Sequence, residues 1–88
     1  MTAEEAQALA DAYGFASAGR IVMSRHAEAR MEERGASFAD VRQALVSATS
    51  CHAQPDERWR IEGGCDGDGD ALTVVVTFEG SVVVVTLF

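Results

Sequence analysis

The sequence predicts an α+β fold in which three N-terminal helices pack on a three-stranded antiparallel β-meander. Apolar residues recur at helical intervals up to about residue 50 and alternate after it. Cap-like residues punctuate the first half of the chain. Runs rich in Val and Thr, separated by Gly/Asp turns, fill the second half.

Thr2-Ala3-Glu4-Glu5 has capping-box spacing, and Leu9, Ala10 and Tyr13 come after it at helical intervals until Gly14 offers a stop, so the first helix is read as residues 3–13. Phe15 to Met23 is a connection whose Ile21-Val22-Met23 patch is either extended or a staple for the next helix. Ser24 as N-cap and Gly35 as C-cap bracket the second helix. Ser37-Phe38-Ala39-Asp40 caps the third, with Phe38, Val41, Leu45 and Val46 as its apolar stripe.

Three strands complete the chain: Arg58 to Glu62, Leu72 to Phe78 and Val82 to Phe88. Glu79-Gly80 is a hairpin turn, and the run from Gly63 to Asp70 is a longer loop. Met31, Phe38, Val41, Leu45, Trp59, Ile61, Leu72, Val74, Val76, Val83 and Val85 are the expected core. On the last strand Val82, Val84, Thr86 and Phe88 point one way and Val83, Val85 and Leu87 the other, so both faces are largely apolar. The second face needs a cover, either the first helix or a second copy, and the small size favours a homodimer.

At 88 residues the chain holds one domain, residues 1–88, with 1–20 as an N-terminal helical extension. It contains no apolar run long enough for a membrane span, and residues 1–20 lack the basic start and apolar stretch of a secretory signal. A cytoplasmic location with Cys51 and Cys65 as reduced thiols is therefore expected. The net charge of −7 excludes broad coating of a phosphate backbone, so any nucleic-acid contact must be local. All 7 cationic residues are arginines, which suit bidentate phosphate contact and equally reflect a GC-rich coding bias.

On a helix His26, Arg30 and Arg34 stand at i, i+4 and i+8 along one side. A histidine that titrates near neutral pH beside guanidiniums can move a proton while a phosphate is held. The same spacing also describes solvated helix charges. Elsewhere, Asp66-Gly67-Asp68-Gly69-Asp70 imitates the start of a calcium loop, but Ala71 and Thr77 stand where such a loop needs glycine and glutamate, so it reads as a turn. Cys51, His52 and Cys65 fit no zinc spacing, and neither a metal nor a cofactor is expected. Trp59, between Arg58 and Arg60, could stack a base, though a core position is the stronger reading.

The run His26-Ala27 to Arg30-Met31 to Arg34-Gly35, then Val41, an arginine-bearing strand, a Gly/Asp turn, Leu72-Thr73-Val74-Val75-Val76 and the closing Val-rich strand, resembles a bacterial family of uncharacterised small domains. That family is similar to the RelE, BrnT and MqsR toxins of the barnase-EndoU-colicin-RelE fold group, and the resemblance spans residues 22–88. It implies a metal-independent endoribonuclease of a toxin-antitoxin system, with an RNA substrate and a cognate antitoxin as partners. A base would draw the proton from a ribose 2′-OH, arginines would hold the phosphate, and an acid would protonate the 5′-leaving oxygen. Carried over by position, His26 is the acid-base group, Arg30 or Arg34 with Arg58 or Arg60 the phosphate holders, and Thr86 a hydroxyl at the sheet end. The acidic net charge and the aspartate-rich loop depart from the basic character of such toxins. The alternative is a non-catalytic interaction or regulatory module with the same fold.

Overall fold

The computed structural model describes residues 1–88 and orders them as α1 (Ala3–Ser17), β1 (Ile21–Met23), α2 (Arg25–Arg34), α3 (Phe38–Ser47), β2 (Ser50–Gln54), β3 (Arg58–Glu62), β4 (Val74–Phe78) and β5 (Val82–Leu87). The helix starts are those the caps predict. Thr2 and Glu5 form a reciprocal capping box, Ser24 accepts the Ala27 N–H at 3.0 Å, and Ser37 and Asp40 repeat the box on α3. The Asp40 carboxylate accepts the N–H groups of Ser37 and Gly67, which holds its pKa below the ordinary value; Thr2 and Ala53 do the same for Glu5.

The first helix runs through Gly14 to Ser17, a correction to the predicted end at residue 13. Glycine stops a helix only where the backbone turns left-handed, and that happens at Gly19, with φ 75°. There the Arg20 N–H reaches Phe15 O and the Gly19 N–H reaches Ala16 O, a Schellman closure. Arg42 of α3 adds donors to the carbonyls of Ala16 and Ser17.

The three-stranded antiparallel meander is also corrected. The sheet has five strands in the order β1-β5-β4-β3-β2; β1 runs parallel to β5 and the other neighbours are antiparallel. Ser-Cys-His-Ala-Gln in β2 carries no β-branched or aromatic residue, so nothing local marks it as a strand. Its turn into β3 places Asp56 and Glu57 at φ 63° and 59°, where hairpins ordinarily signal themselves with glycine or asparagine. β1 is three residues long and finds its partner some sixty residues away, a pairing that local period cannot report.

One face of the sheet carries the core. Ala8, Ala12 and Ala16 of α1, Val41, Ala44 and Leu45 of α3, and Ala27 of α2 close on Cys51, Ile61, Leu72, Val74, Val76, Val82, Val84 and Leu87. The expected Val83 and Val85 are instead half-buried. They face away from the core by alternation with the inward Val82 and Val84, and a bulge then shifts the phase: Val76 pairs with Val84 and Val75 with Thr86, so Val85 is skipped. Val82 and Val84 point inward before the bulge, and Leu87 points inward after it. Phe38, expected in the core, is 45% exposed, while Met31 and Trp59 pack at its margin.

Since α1 and α3 share one core and pack together, and α2 adds Ala27 to that same core from the edge of β5, no helix of the chain lies over the second sheet face. The alternative in which α1 covers that face is thereby corrected. Burial, with the Glu5 charge adding to it, pushes the Cys51 thiol up to about 11, which makes it a poor nucleophile; Cys51 and Cys65 are both free. No helix is long and apolar enough to cross a membrane.

Candidate functional site

α2 succeeds β1 along the outer edge of β5 and occupies the carbonyls that β1 is too short to reach. The Ser24 N–H takes Val84 O at 3.0 Å, the Ser24 hydroxyl takes Val85 O at 2.9 Å, and Arg30 Nε donates to Leu87 O at 3.1 Å. The bulge turns two successive carbonyls outward, and the N-cap serine answers both. Arg30 also lies 3.4 Å from Glu33, and Arg34 donates to Ala71 O, the residue just before Leu72 enters the core. Two of the arginines read as phosphate holders thus fasten α2 to backbone carbonyls, Arg30 to the end of β5 and Arg34 to the loop before β4.

His26 is exposed in the first turn of α2 and enters no ion pair, with Arg30 and Arg34 directed to carbonyls rather than to it. Arg58 is exposed at the start of β3 and is likewise in no ion pair. Arg60 and Thr86 do share a feature. In the register Thr86 faces Val75, Val75 faces Arg60, and Arg60 faces His52, so these four side by side cross β5, β4, β3 and β2 on the face without helices. Neighbouring strands stand about 4.8 Å apart, which puts Thr86 and Arg60 about 10 Å from each other.

Glu62, two residues beyond Arg60 on β3, shares that face. Its Oε1 meets Arg60 Nε as an ion pair, not aligned as a hydrogen bond, and lies 4.0 Å from His52 Nε2. An imidazole, a guanidinium and a carboxylate therefore gather at the β2–β3 end of the face, each a third to a half exposed. Such a group can accept a proton, return one and hold an anion. Sequence reasoning did not single out His52 and Glu62 for this role. The signal lies in the pairing of β2 with β3, which sets them on one face, and β2 itself carries no local mark.

The structure thus brings Arg58, Arg60 and Thr86 onto one sheet face with His52 and Glu62, while His26, Arg30 and Arg34 lie beyond the outer edge of β5. The Asp-rich loop is closed on itself: Asp66 Oδ1 accepts the N–H groups of Asp68 and Asp70, both at 2.9 Å.

Searches of curated proteins and of solved structures found no match to the chain. A family profile matches residues 23–88, from the last residue of β1 to the end of the sheet, and so takes in α2, α3 and four of the five strands. The chain accordingly belongs to the family described as Domain of unknown function (DUF4258).

Proposed function

We propose that the chain is a metal-independent endoribonuclease of the toxin type, similar to RelE, BrnT and MqsR, acting on RNA and restrained by a cognate antitoxin. The supporting observation is the grouping of His52, Arg60 and Glu62 on a sheet face that no helix covers, with His52 and Arg60 in the same cross-strand row as Thr86. In this reading Arg60 holds the scissile phosphate. Glu62 or His52 takes the 2′-OH proton as the oxygen attacks phosphorus, and the other acid-base group returns a proton to the departing 5′-oxygen. Products are a 2′,3′-cyclic phosphate and a 5′-hydroxyl, so atoms and charges balance with no metal.

Purified chain incubated with RNA in excess EDTA is expected to yield cyclic-phosphate ends. Losing a positioned acid or base lowers such a rate by about 10²- to 10⁴-fold, so His52→Ala and Glu62→Gln should each do so. The chain has 2 histidines, which makes them separable: loss confined to His26→Ala moves the chemistry to α2. No cleavage by the unaltered chain ends the nuclease reading.

A non-catalytic interaction module is the second reading, and one observation favours it. Arg30, Arg34 and Arg42 all donate to backbone carbonyls, which makes them fasteners of the fold, in a chain of net charge −7. The uncovered face then serves association, with Val22 and Phe88 each about half exposed (51% and 50%) beside Val75 and Val83. Its simplest occupant is a second copy, so light scattering at micromolar concentration should return twice the 9.3 kDa chain mass. A particle of one chain mass at that concentration excludes the homodimer.

A further inference from the structure

The single tryptophan of the chain, Trp59, stays half-buried at the margin of the core. With Phe78 and Ala8 it floors a cavity of about 220 Å³ between α1 and the core-facing side of β3 and β4, and Glu4, Gln7 and Asp11 form the rim. Glu4 and Asp11 are seven residues apart on α1, hence on one stripe and about 10 Å from each other along the axis. Gln7 Nε2 donates to Asp11 Oδ1 at 2.9 Å, which orients that carboxylate. Neither acid is in an ion pair with any arginine of the chain.

We propose that this cavity is the docking site for an arginine side chain carried on a basic segment of a partner protein. Its volume lies under the roughly 300 to 1,000 Å³ of sites that enclose small molecules, so it accommodates one side chain. The indole face attracts a guanidinium, the apolar stem of arginine lies along Phe78 and Ala8, and the flanking carboxylates accept its fork of donors. Phosphate-bearing ligands are repelled by the same acids. The net charge of −7 draws a basic segment toward the chain, and a protein segment can add the contacts beyond the cavity that a single side chain lacks. No residue of this site belongs to the nuclease reading, so the two stand or fall separately.

Trp59 reports directly on occupancy, since all indole emission comes from it. The full chain is titrated with four probes: acetylated and amidated tetra-arginine, tetra-lysine and tetra-glutamate peptides, and spermine. Tetra-arginine is expected to change the emission saturably and tetra-glutamate to leave it unchanged. Exposed ion pairs being individually weak, Glu4→Gln combined with Asp11→Asn should weaken tetra-arginine binding by about 3- to 10-fold. Both positions are exposed, and an unchanged circular dichroism spectrum confirms the fold of the variant; Asp11→Asn alone serves if the double variant misfolds. The proposal is overturned if tetra-arginine gives no saturable change, if the variants bind it as tightly as the parent, or if tetra-lysine or spermine binds equally well.

Discussion

Gly64→Ala is expected to destabilise the domain by about 3 kcal/mol or more, because the added methyl has no room and its neighbours cannot move. Gly64 is buried where the loop after β3 passes under α3. A Cβ there would overlap the Ala44 carbonyl oxygen and stand 2.8 Å from the Ala44 carbonyl carbon and 3.0 Å from its Cα. These are backbone atoms in the middle of a helix. Relief requires shifting α3, and Ala44 and Leu45 of that helix are core residues. Gly64 O also accepts the Leu72 N–H at 3.1 Å, so a displaced loop disturbs the entry of Leu72 into the core. For a chain of this length a total stability of about 4 to 13 kcal/mol is ordinary, so the variant forfeits a large share of it. Urea denaturation monitored by Trp59 emission measures the effect. A midpoint indistinguishable from that of the parent means that α3 does not approach this loop so closely.

Leu87→Ala is expected to cost about 2 to 5 kcal/mol, whereas Val85→Ala should cost about 1 kcal/mol or less. The contrast arises from the bulge. In a regular strand Val83, Val85 and Leu87 share a face and respond alike. Here Val85 already faces away from the core by alternation with Val82 and Val84, and its being skipped in the pairing with β4 turns Leu87 into the core beside Val74. Truncating Leu87 opens a cavity lined by residues held on both sides, whereas Val85 is in part already in contact with water. Equal losses at the two positions would restore the regular strand and remove the bulge.

The helices were largely legible because their signals are short-range. Thr2 with Glu5, Ser24 with Ala27, and Ser37 with Asp40 each close a hydrogen-bonded unit within three residues, so spacing alone identifies them. Gly14 misled because a glycine marks a stop only if the backbone turns left-handed there, which depends on the contacts made by the residues C-terminal to it. Among the strands, Val74–Phe78 and Val82–Leu87 were visible by their β-branched residues, and Ser50–Gln54 was not, because it owes its strand state to β3.

The candidate site divides along the same line. The spacing of His26, Arg30 and Arg34 on one helix was readable from the chain, and α2 has the predicted caps. The partners of the guanidiniums were not readable. Arg30 meets Leu87 O and Arg34 meets Ala71 O, partners 57 and 37 residues away, and both contacts exist only once α2 has succeeded β1 at the edge of β5. His52, Arg60, Val75 and Thr86 form one row because three strand pairings set their register.

The residue sequence alone thus specifies the α+β class, the three helix starts and the alternating valine strands, because capping and side-chain periodicity act within a few residues. The strand count, the parallel β1, the phase of β5 and the grouping of His52 with Arg60 and Glu62 were decided by tertiary structure. Each depends on hydrogen bonds between distant segments, such as Ser24 to Val85 across 61 residues, whose partners are chosen by the burial of one common core.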